Sequence, residues 1–393
     1  LKTEYFDLVV VGAGPAGSIT ARTAALAGLD VLLVEKRQEI GDPVRCAEGV
    51  SKEGLCRHVS PDSRWISAEV RGSRLFAPNG LCVEMSEEMS GSEVGYVLER
   101  KVFDRMLAQE AAKAGAEVRV KTRATGLLME DGQVRGVRIM HLGETRDIRA
   151  RVVVGADGVE SKIGRWAGID TTLRPDEIES CAQFLVSNIE VSDYSEFYLG
   201  KNVSPSGYVW VFPKGENCAN IGIGMLGSSP GRNAVSLLQR FVAKKYPQGK
   251  ILEMVVGGVP VSGPLESCIR DGLMLVGDAA RQSDPLTGGG IINAMDAGKI
   301  AGEVAAEAIK TGDTTTESLR RYEERWRAGM GAELQRSLTV KNFFLKLTDN
   351  DLNNLASSIQ GMDVSKMTLF SLLKALFKAN PRLLWEIRGI FKS

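Results

Sequence analysis

The sequence predicts a mixed α/β and α+β chain, and three observations predict it. An apolar strand near the N-terminus runs into a glycine-rich turn and an Ala-rich helix. A middle stretch from about Glu179 to Val261 alternates in strand fashion, with one helix expected at Gly231–Lys245. After Gly312 the composition shifts to helices. The 393 residues suffice for two or three domains and a large core.

The opening element carries the most chemistry. Tyr5–Val11 reads as a strand buried in a parallel sheet, followed by Gly12-Ala13-Gly14-Pro15-Ala16-Gly17, a helix over Ser18–Leu26, and a second buried strand at Val31–Val34 ending in Glu35. Gly12 allows the tight turn, Gly14 lets a pyrophosphate approach the backbone, and Gly17 lets the helix pack close to the sheet, helped by Ala21. The helix N-terminus offers unpaired N–H groups, Ala16 among them, to phosphates. Glu35 lies about 20 residues beyond the glycines, where its carboxylate can accept hydrogen bonds from ribose hydroxyls. A ribose phosphate would be repelled there, which disfavours NADP. The full strand, turn, helix, strand, acid context predicts a Rossmann-like dinucleotide site rather than a turn that merely packs.

Two later segments have related form. Arg151–Val154 reads as a strand running into Gly155-Ala156-Asp157-Gly158, with Ser161 at a helix start. Gly272–Val276 is a short buried strand ending in Gly277-Asp278-Ala279-Ala280, followed by Pro285, Gly288-Gly289-Gly290 and a long helix over Ile291–Ile309. An aspartate at a strand end beside a glycine-rich helix start can hold ribityl hydroxyls and aim N–H groups at phosphate or flavin carbonyls.

Together these segments resemble the p-hydroxybenzoate-hydroxylase-type flavoprotein superfamily, which binds FAD. The resemblance implies that Asp157 belongs to the cofactor site and that Asp278 contacts the ribityl–pyrophosphate region. It also implies that Gly289, Gly290 and Ile291 border the isoalloxazine, that Arg100 reaches FAD, and that the backbone of Ala124 meets the adenine. For Arg100 the competing reading is a solvated helix cap. Gly222-Ile223-Gly224-Met225-Leu226-Gly227 repeats the glycine spacing but leads into Ser228-Ser229-Pro230-Gly231 without opening a helix at once. A plain strand is expected there, with no second nucleotide fold. The electron donor is then a transiently bound one, left open between a reduced nicotinamide and a ferredoxin-like protein.

Two further stretches narrow the likeness. Asp42-Pro43-Val44-Arg45-Cys46-Ala47-Glu48-Gly49 follows the ribose acid, and Pro205-Ser206-Gly207-Tyr208-Val209-Trp210-Val211-Phe212-Pro213 carries aromatics at alternate positions. Alternation puts Tyr208, Trp210 and Phe212 on one strand face, which by itself is compatible with plain core. The pair of segments resembles the geranylgeranyl reductase family, and its archaeal branch in particular, over Val9 to about Ala306. Arg165 falls four residues after Ser161, one later than the usual hydroxylase spacing, which favours the reductase branch. The resemblance implies that Arg45, Cys46, Ala47 and Gly49 lie at the flavin, and that Tyr208, Trp210, Phe212 and Pro213 line a slot for a polyprenyl chain. It further implies hydride transfer to one carbon of an isoprenoid double bond in an ether-lipid precursor, with a proton delivered to the other by water or by Cys46. An aromatic hydroxylase of the same superfamily and a non-enzymatic prenyl-lipid carrier are the competing functions.

The expected domains are therefore a discontinuous Rossmann-like FAD-binding domain (1–178 and 262–312), a substrate-binding sheet domain (179–261) and a C-terminal helical region (313–393). Composition excludes several other classes. Forty-nine basic residues balance 49 acidic ones, so a globally basic nucleic-acid binder is disfavoured. No apolar run approaches the ~18 residues of a membrane span, and the N-terminus lacks the layout of a signal peptide. Cys46, Cys56, Cys82, Cys181, Cys218 and Cys268 form no CxxC pair, and His58 and His141 are the only histidines. Neither a metal centre nor a disulfide framework is expected, although one structural disulfide stays open. Ser365–Ser393 carries six basic residues against one acidic, interleaved with apolar ones. Two readings weigh equally for it: helices on an anionic membrane surface, or helices covering the substrate slot or packing on the FAD domain. The expected location is the cytoplasm, with contact at the membrane face under the first reading.

Overall fold

The computed structural model describes residues 3–86, 94–229, 231 and 233–359. The Ser365–Ser393 segment, for which membrane contact is expected, lies outside the described residues. The chain divides into two compact units. Among the described residues, the first is drawn from 3–44, 100–173 and 260–335, and the second from 45–86, 94–99, 174–259 and 336–359.

The first unit is built on one mixed sheet in the order Ile269–Arg270, Leu273–Leu275, Glu144–Gly155, Thr3–Val11, Val31–Val34, Glu117–Arg119. Its inner pairs are parallel, and Leu8, Val9, Val10, Leu32, Leu33, Val152 and Val153 are wholly buried, as near-continuous apolar strands require. The Ala-rich helix Pro15–Leu26 begins three residues before the expected Ser18, because Pro15 at the first helical position supplies a helical φ and needs no N–H partner. The long helix Ile291–Thr311 extends beyond the expected Ile309 and ends where Gly312 turns to φ +80°. Glu144–Gly155 is longer than the expected Arg151–Val154, since its outer half pairs antiparallel with Gln133–His141. The two helices touch through small residues: a Cβ on Gly298 would lie 2.4 Å from the carbonyl oxygen of Ala16.

The second unit is a seven-stranded sheet in the order Lys250–Pro260, Ile178–Ser187, Cys218–Leu226, Gly207–Pro213, Ser195–Tyr198, Gly72–Phe76, Cys82–Ser86. Period-two alternation gives it two faces. Val209, Val211, Ile221, Ile223 and Phe184 pack with Leu237, Leu238 and Val242 of the helix Ala234–Lys245. That helix starts later than the expected Gly231, because the Asn233 side chain accepts the N–H of Ser236 and sets its first turn. Trp210 and Phe212 pack on the opposite face with Val70, Val94 and Val97, and with Tyr208 and Phe197 at the margin.

The repeated glycine spacing at Gly222–Gly227 is a plain strand running through Leu226. Its glycines serve packing: a Cβ on Gly222 would lie 2.1 Å from the Trp210 ring. We expect Gly222→Ala to displace the indole and cost about 1–3 kcal/mol. Urea unfolding read by tryptophan fluorescence checks both effects.

Candidate active site

In the first unit three turns far apart in the chain meet at the ends of the parallel strands. Gly12, at φ +111°, runs against the second turn so closely that a Cβ would lie 2.2 Å from the Ala156 carbonyl oxygen. Gly17 folds back on the same turn, its hypothetical Cβ 1.9 Å from the Gly12 carbonyl oxygen and 3.1 Å from the Ala156 methyl. The third turn joins through Gly277, whose Cβ would meet the Ala16 methyl at 3.1 Å, and Ser161 Oγ donates to the Ala279 carbonyl at 2.9 Å. Gly14 differs from its neighbours: nothing lies within 4 Å of where its Cβ would be. No side chain caps the helix that starts at Pro15, so the N–H groups of its first turn face that open space.

The acidic residues surround this cradle. Glu35 Oε2 accepts the N–H of Ala13 at 3.1 Å and Oε1 that of Arg37 at 2.9 Å, which holds the carboxylate beside the glycine turn. The N–H of Thr122 donates to the Glu35 carbonyl at 2.8 Å, and Ala124 follows two residues on in the strand Thr122–Glu130. Asp157 Oδ2 accepts the N–H of Ile163 at 3.1 Å, while Oδ1 is buried with no partner. Burial raises the Asp157 carboxyl above its ordinary range. It raises Asp278 likewise, and the Arg100 charge pulls that group partly back. Asp278 Oδ1 lies 3.3 Å from where a Gly290 Cβ would be. Gly290 opens the helix Ile291–Thr311 with no side-chain cap, while Gly289 is held by its carbonyl accepting from Asp284 N at 2.7 Å.

Arg100 is no solvated cap. Its side chain is 13% exposed and pairs with Asp104, Nε to Oδ1 and Nη2 to Oδ2, both at 2.8 Å. Thus Gly12, Gly14, Ala16, Gly17, Glu35, Arg100, Ala124, Asp157, Asp278, Gly289, Gly290 and Ile291 all belong to the first unit, whereas Arg45, Cys46, Ala47 and Gly49 belong to the second.

In the second unit the 45–49 segment is held by buried polar side chains. Gln183 Nε2 donates to the Cys46 carbonyl at 3.0 Å, and Gln183 Oε1 accepts Trp210 Nε1 at 3.0 Å. Cys46 is half-buried and its Sγ accepts the N–H of Glu48 at 3.2 Å. Glu48 adopts φ +77°, a left-handed conformation rare for a residue with a Cβ. Its carboxylate is buried against Lys214 Nζ at 2.8 Å and Asn220 Nδ2 at 2.5 Å. Lys214 uses its remaining donors on the Leu98 carbonyl at 2.5 Å and Glu99 at 3.1 Å. Arg45 is exposed, its stem near Gly257. Tyr208 is half-buried and Trp210 and Phe212 are buried, with Tyr208 and Trp210 edge to face at 6.0 Å and Pro213 ending the strand. All six cysteines are free thiols, so the disulfide left open is not formed.

Sequence reasoning missed Gln183, Lys214, Asn220, Gln282 and Tyr322. Gln282 Oε1 accepts the N–H of Gly277 at 2.7 Å, its Nε2 donates to the Tyr322 hydroxyl at 3.0 Å, and that hydroxyl donates to the Leu275 carbonyl at 2.8 Å, bracing the Asp278 turn. The available signal was a polar residue at an inward position of an apolar strand, as for Gln183 and Asn220. Tyr322 had none, because its partner lies 40 positions away.

An open glycine cradle at an uncapped helix start, ringed by a ribose-type acid and two half-buried aspartates, fits a phosphate- and hydroxyl-rich dinucleotide. This fold and cradle are those of an FAD-binding oxidoreductase. The description "FAD binding domain" matches residues 5–207, and "Geranylgeranyl reductase catalytic domain" matches residues 177–259. Digeranylgeranylglycerophospholipid reductase 2 of Methanococcoides burtonii is 60% identical, over 99% of this chain and 97% of its own. Digeranylgeranylglycerophospholipid reductase of Methanosarcina acetivorans is 61% identical over the same shares. Among solved structures, a geranylgeranyl bacteriochlorophyll reductase-like protein from Thermoplasma acidophilum superposes with a TM-score of 0.93 at 40% identity, over 99% of this chain and 100% of the other. The chain belongs to the geranylgeranyl reductase family of FAD-dependent oxidoreductases.

Lys214→Ala would take the cation at 2.8 Å away from buried Glu48 and is expected to cost about 3–5 kcal/mol. Adding Glu48→Gln should recover part of that loss. Denaturant melts of the single and double variants measure both.

Proposed function

We propose that the protein saturates the double bonds of geranylgeranyl chains in archaeal ether-lipid precursors, of the 2,3-di-O-geranylgeranylglyceryl phosphate or phospholipid type. The observation that carries the reading is that one chain combines a dinucleotide cradle with a sheet face of Tyr208, Trp210, Phe212 and Phe197. The names of its full-length relatives support the substrate class. FAD, when bound, supplies hydride to one carbon of the double bond.

The chain's own residues bind, orient and exclude water. We assign Gly12, Gly14, Ala16 and Gly17 to the pyrophosphate, Glu35 to the ribose and Ala124 to the adenine. Asp157, Asp278 and Arg100 fall to the ribityl–pyrophosphate region, and Gly289, Gly290 and Ile291 to the isoalloxazine. We also assign Arg45, Cys46, Ala47 and Gly49 to the flavin, and read the second unit as the bearer of the substrate sheet. Its glycine-spaced strand offers no nucleotide turn, so reducing equivalents come from a transient donor, a reduced nicotinamide or a ferredoxin-like protein. An unactivated alkene gains little from charge, so flat apolar walls that position the chain and keep water out fit the chemistry. Among the described residues no helix is long and apolar enough to cross a membrane. We read the greasy substrate as meeting the protein at a membrane face.

Anaerobic dithionite-reduced protein mixed with digeranylgeranylglyceryl phosphate, geranylgeranyl diphosphate and an aromatic acid tests the function. The expected result is a mass gain of one H2 per reduced double bond in the prenyl lipids and an unchanged aromatic acid. Hydroxylation of the acid in air without lipid saturation would overturn it. Asp278→Ala is expected to weaken FAD binding about 10–100-fold, as loss of a charged hydrogen-bond acceptor does, measured by flavin fluorescence titration.

A further inference from the structure

One buried acid on the aromatic face has no part in the account above. Glu179 lies on the strand Ile178–Ser187, where alternation puts it on the side of Cys181 and Gln183. The register carries that side to the aromatics, because Cys181 pairs with Gly224 and then Tyr208, while Gln183 pairs with Gly222 and then Trp210. The Gln183–Trp210 hydrogen bond and the packing of Cys181 beside Trp210 identify the face. The two glycines leave a trough along the middle strand. The Trp210 ring fills one end, and Glu179 Oε2 fills the other, 2.5 Å from where a Gly224 Cβ would stand.

Glu179 is 8% exposed, and burial and the Lys341 charge are the influences that shift its carboxyl. A carboxylate so placed is costly, whereas the neutral acid is not. The groups that act on it are few. Lys341, on the helix Ala332–Phe344, draws its pKa down, and Lys341 itself feels Asp176 and Glu177. Cys181 stands beside it as a thiol that burial keeps protonated, and Cys46 acts in turn on Cys181. Burial outweighs Lys341 and lifts Glu179 to about 7, so it can both hold and give up a proton near neutrality.

We infer that Glu179 is the acid that protonates the double bond during reduction. The inference rests on the prenyl-reduction reading above. Saturation adds a hydride to one alkene carbon, bringing both electrons from the reductant that the reaction already uses. The Glu179 O–H bond breaks as a C–H bond forms at the other carbon, and the carboxylate then regains a proton from water. This assigns to Glu179 the role that the sequence alone left to Cys46 or water.

The test uses reduced, FAD-loaded enzyme mixed anaerobically with digeranylgeranylglyceryl phosphate, following flavin reoxidation over pH values on both sides of 7. Because the acid form is the active one, the wild-type rate should be flat at low pH and fall as pH rises through about 7. Glu179→Gln should slow the first turnover by about 100-fold or more, lose that limb and keep its FAD, and Glu179→Asp should restore part of the rate. Wild-type rate and limb in Glu179→Gln would overturn the proposal, as would transfer of the loss to Cys46→Ala alone. If Glu179→Gln fails to fold, the wild-type infrared carboxyl band still decides: a protonated carboxyl that titrates with the rate supports the assignment, and its absence defeats it. A wild-type enzyme inert to the lipid defeats the reduction reading first and the proposal with it, an outcome distinct from failure of the variant alone.

Discussion

The constraint on which the nucleotide-binding unit depends is close backbone approach at the ends of its parallel strands. Gly12 lies against the Ala156 carbonyl, Gly17 against Gly12, and Ala16 against Gly277, with no room for a further carbon at the first two contacts. These contacts pull three turns, from the beginning, middle and end of the sequence, into one cradle. The parallel register makes this geometry available, since adjacent parallel strands end at the same edge of the sheet and their following turns become neighbours. Gly14 is the exception, and its open space marks where a ligand, not the protein, completes the packing.

The second unit solves a different problem. It presents an apolar aromatic face and must also anchor an irregular segment, 45–49, that contains a left-handed, buried Glu48. The polar groups that hold this segment are matched: Lys214 spends its donors on two acids and a carbonyl, Asn220 adds another to Glu48, and Gln183 bridges Trp210 to Cys46. Such a satisfied network rigidifies a site that loops alone would leave loose. Glu179 stands out beside that network, as an acid buried on the same face and raised by that burial. An apolar wall with an acid that burial lifts to about 7 suits a reaction whose substrate carries no charge at the reacting carbons.

Much was legible in the order of residues, because it depends on local periodicity and on glycines with no substitute. The buried strands at Tyr5–Val11 and Val31–Val34, the turn at Gly12–Gly17, the Asp278 turn and the aromatic face at Tyr208–Phe212 could all be placed from spacing alone. Family resemblance, carried by the same motifs, supplied the flavin and the prenyl substrate. What remained hidden was decided by register between distant strands: which partner Gly222 faces, why Gly224 is a glycine, and where Glu179, Gln183, Lys214, Asn220 and Tyr322 come to rest. A polar residue in a strand looks the same whether it meets water or a buried partner. Only the tertiary fold chooses between them, because that choice follows from which side of the sheet faces the interior and from what the neighbouring strand places opposite.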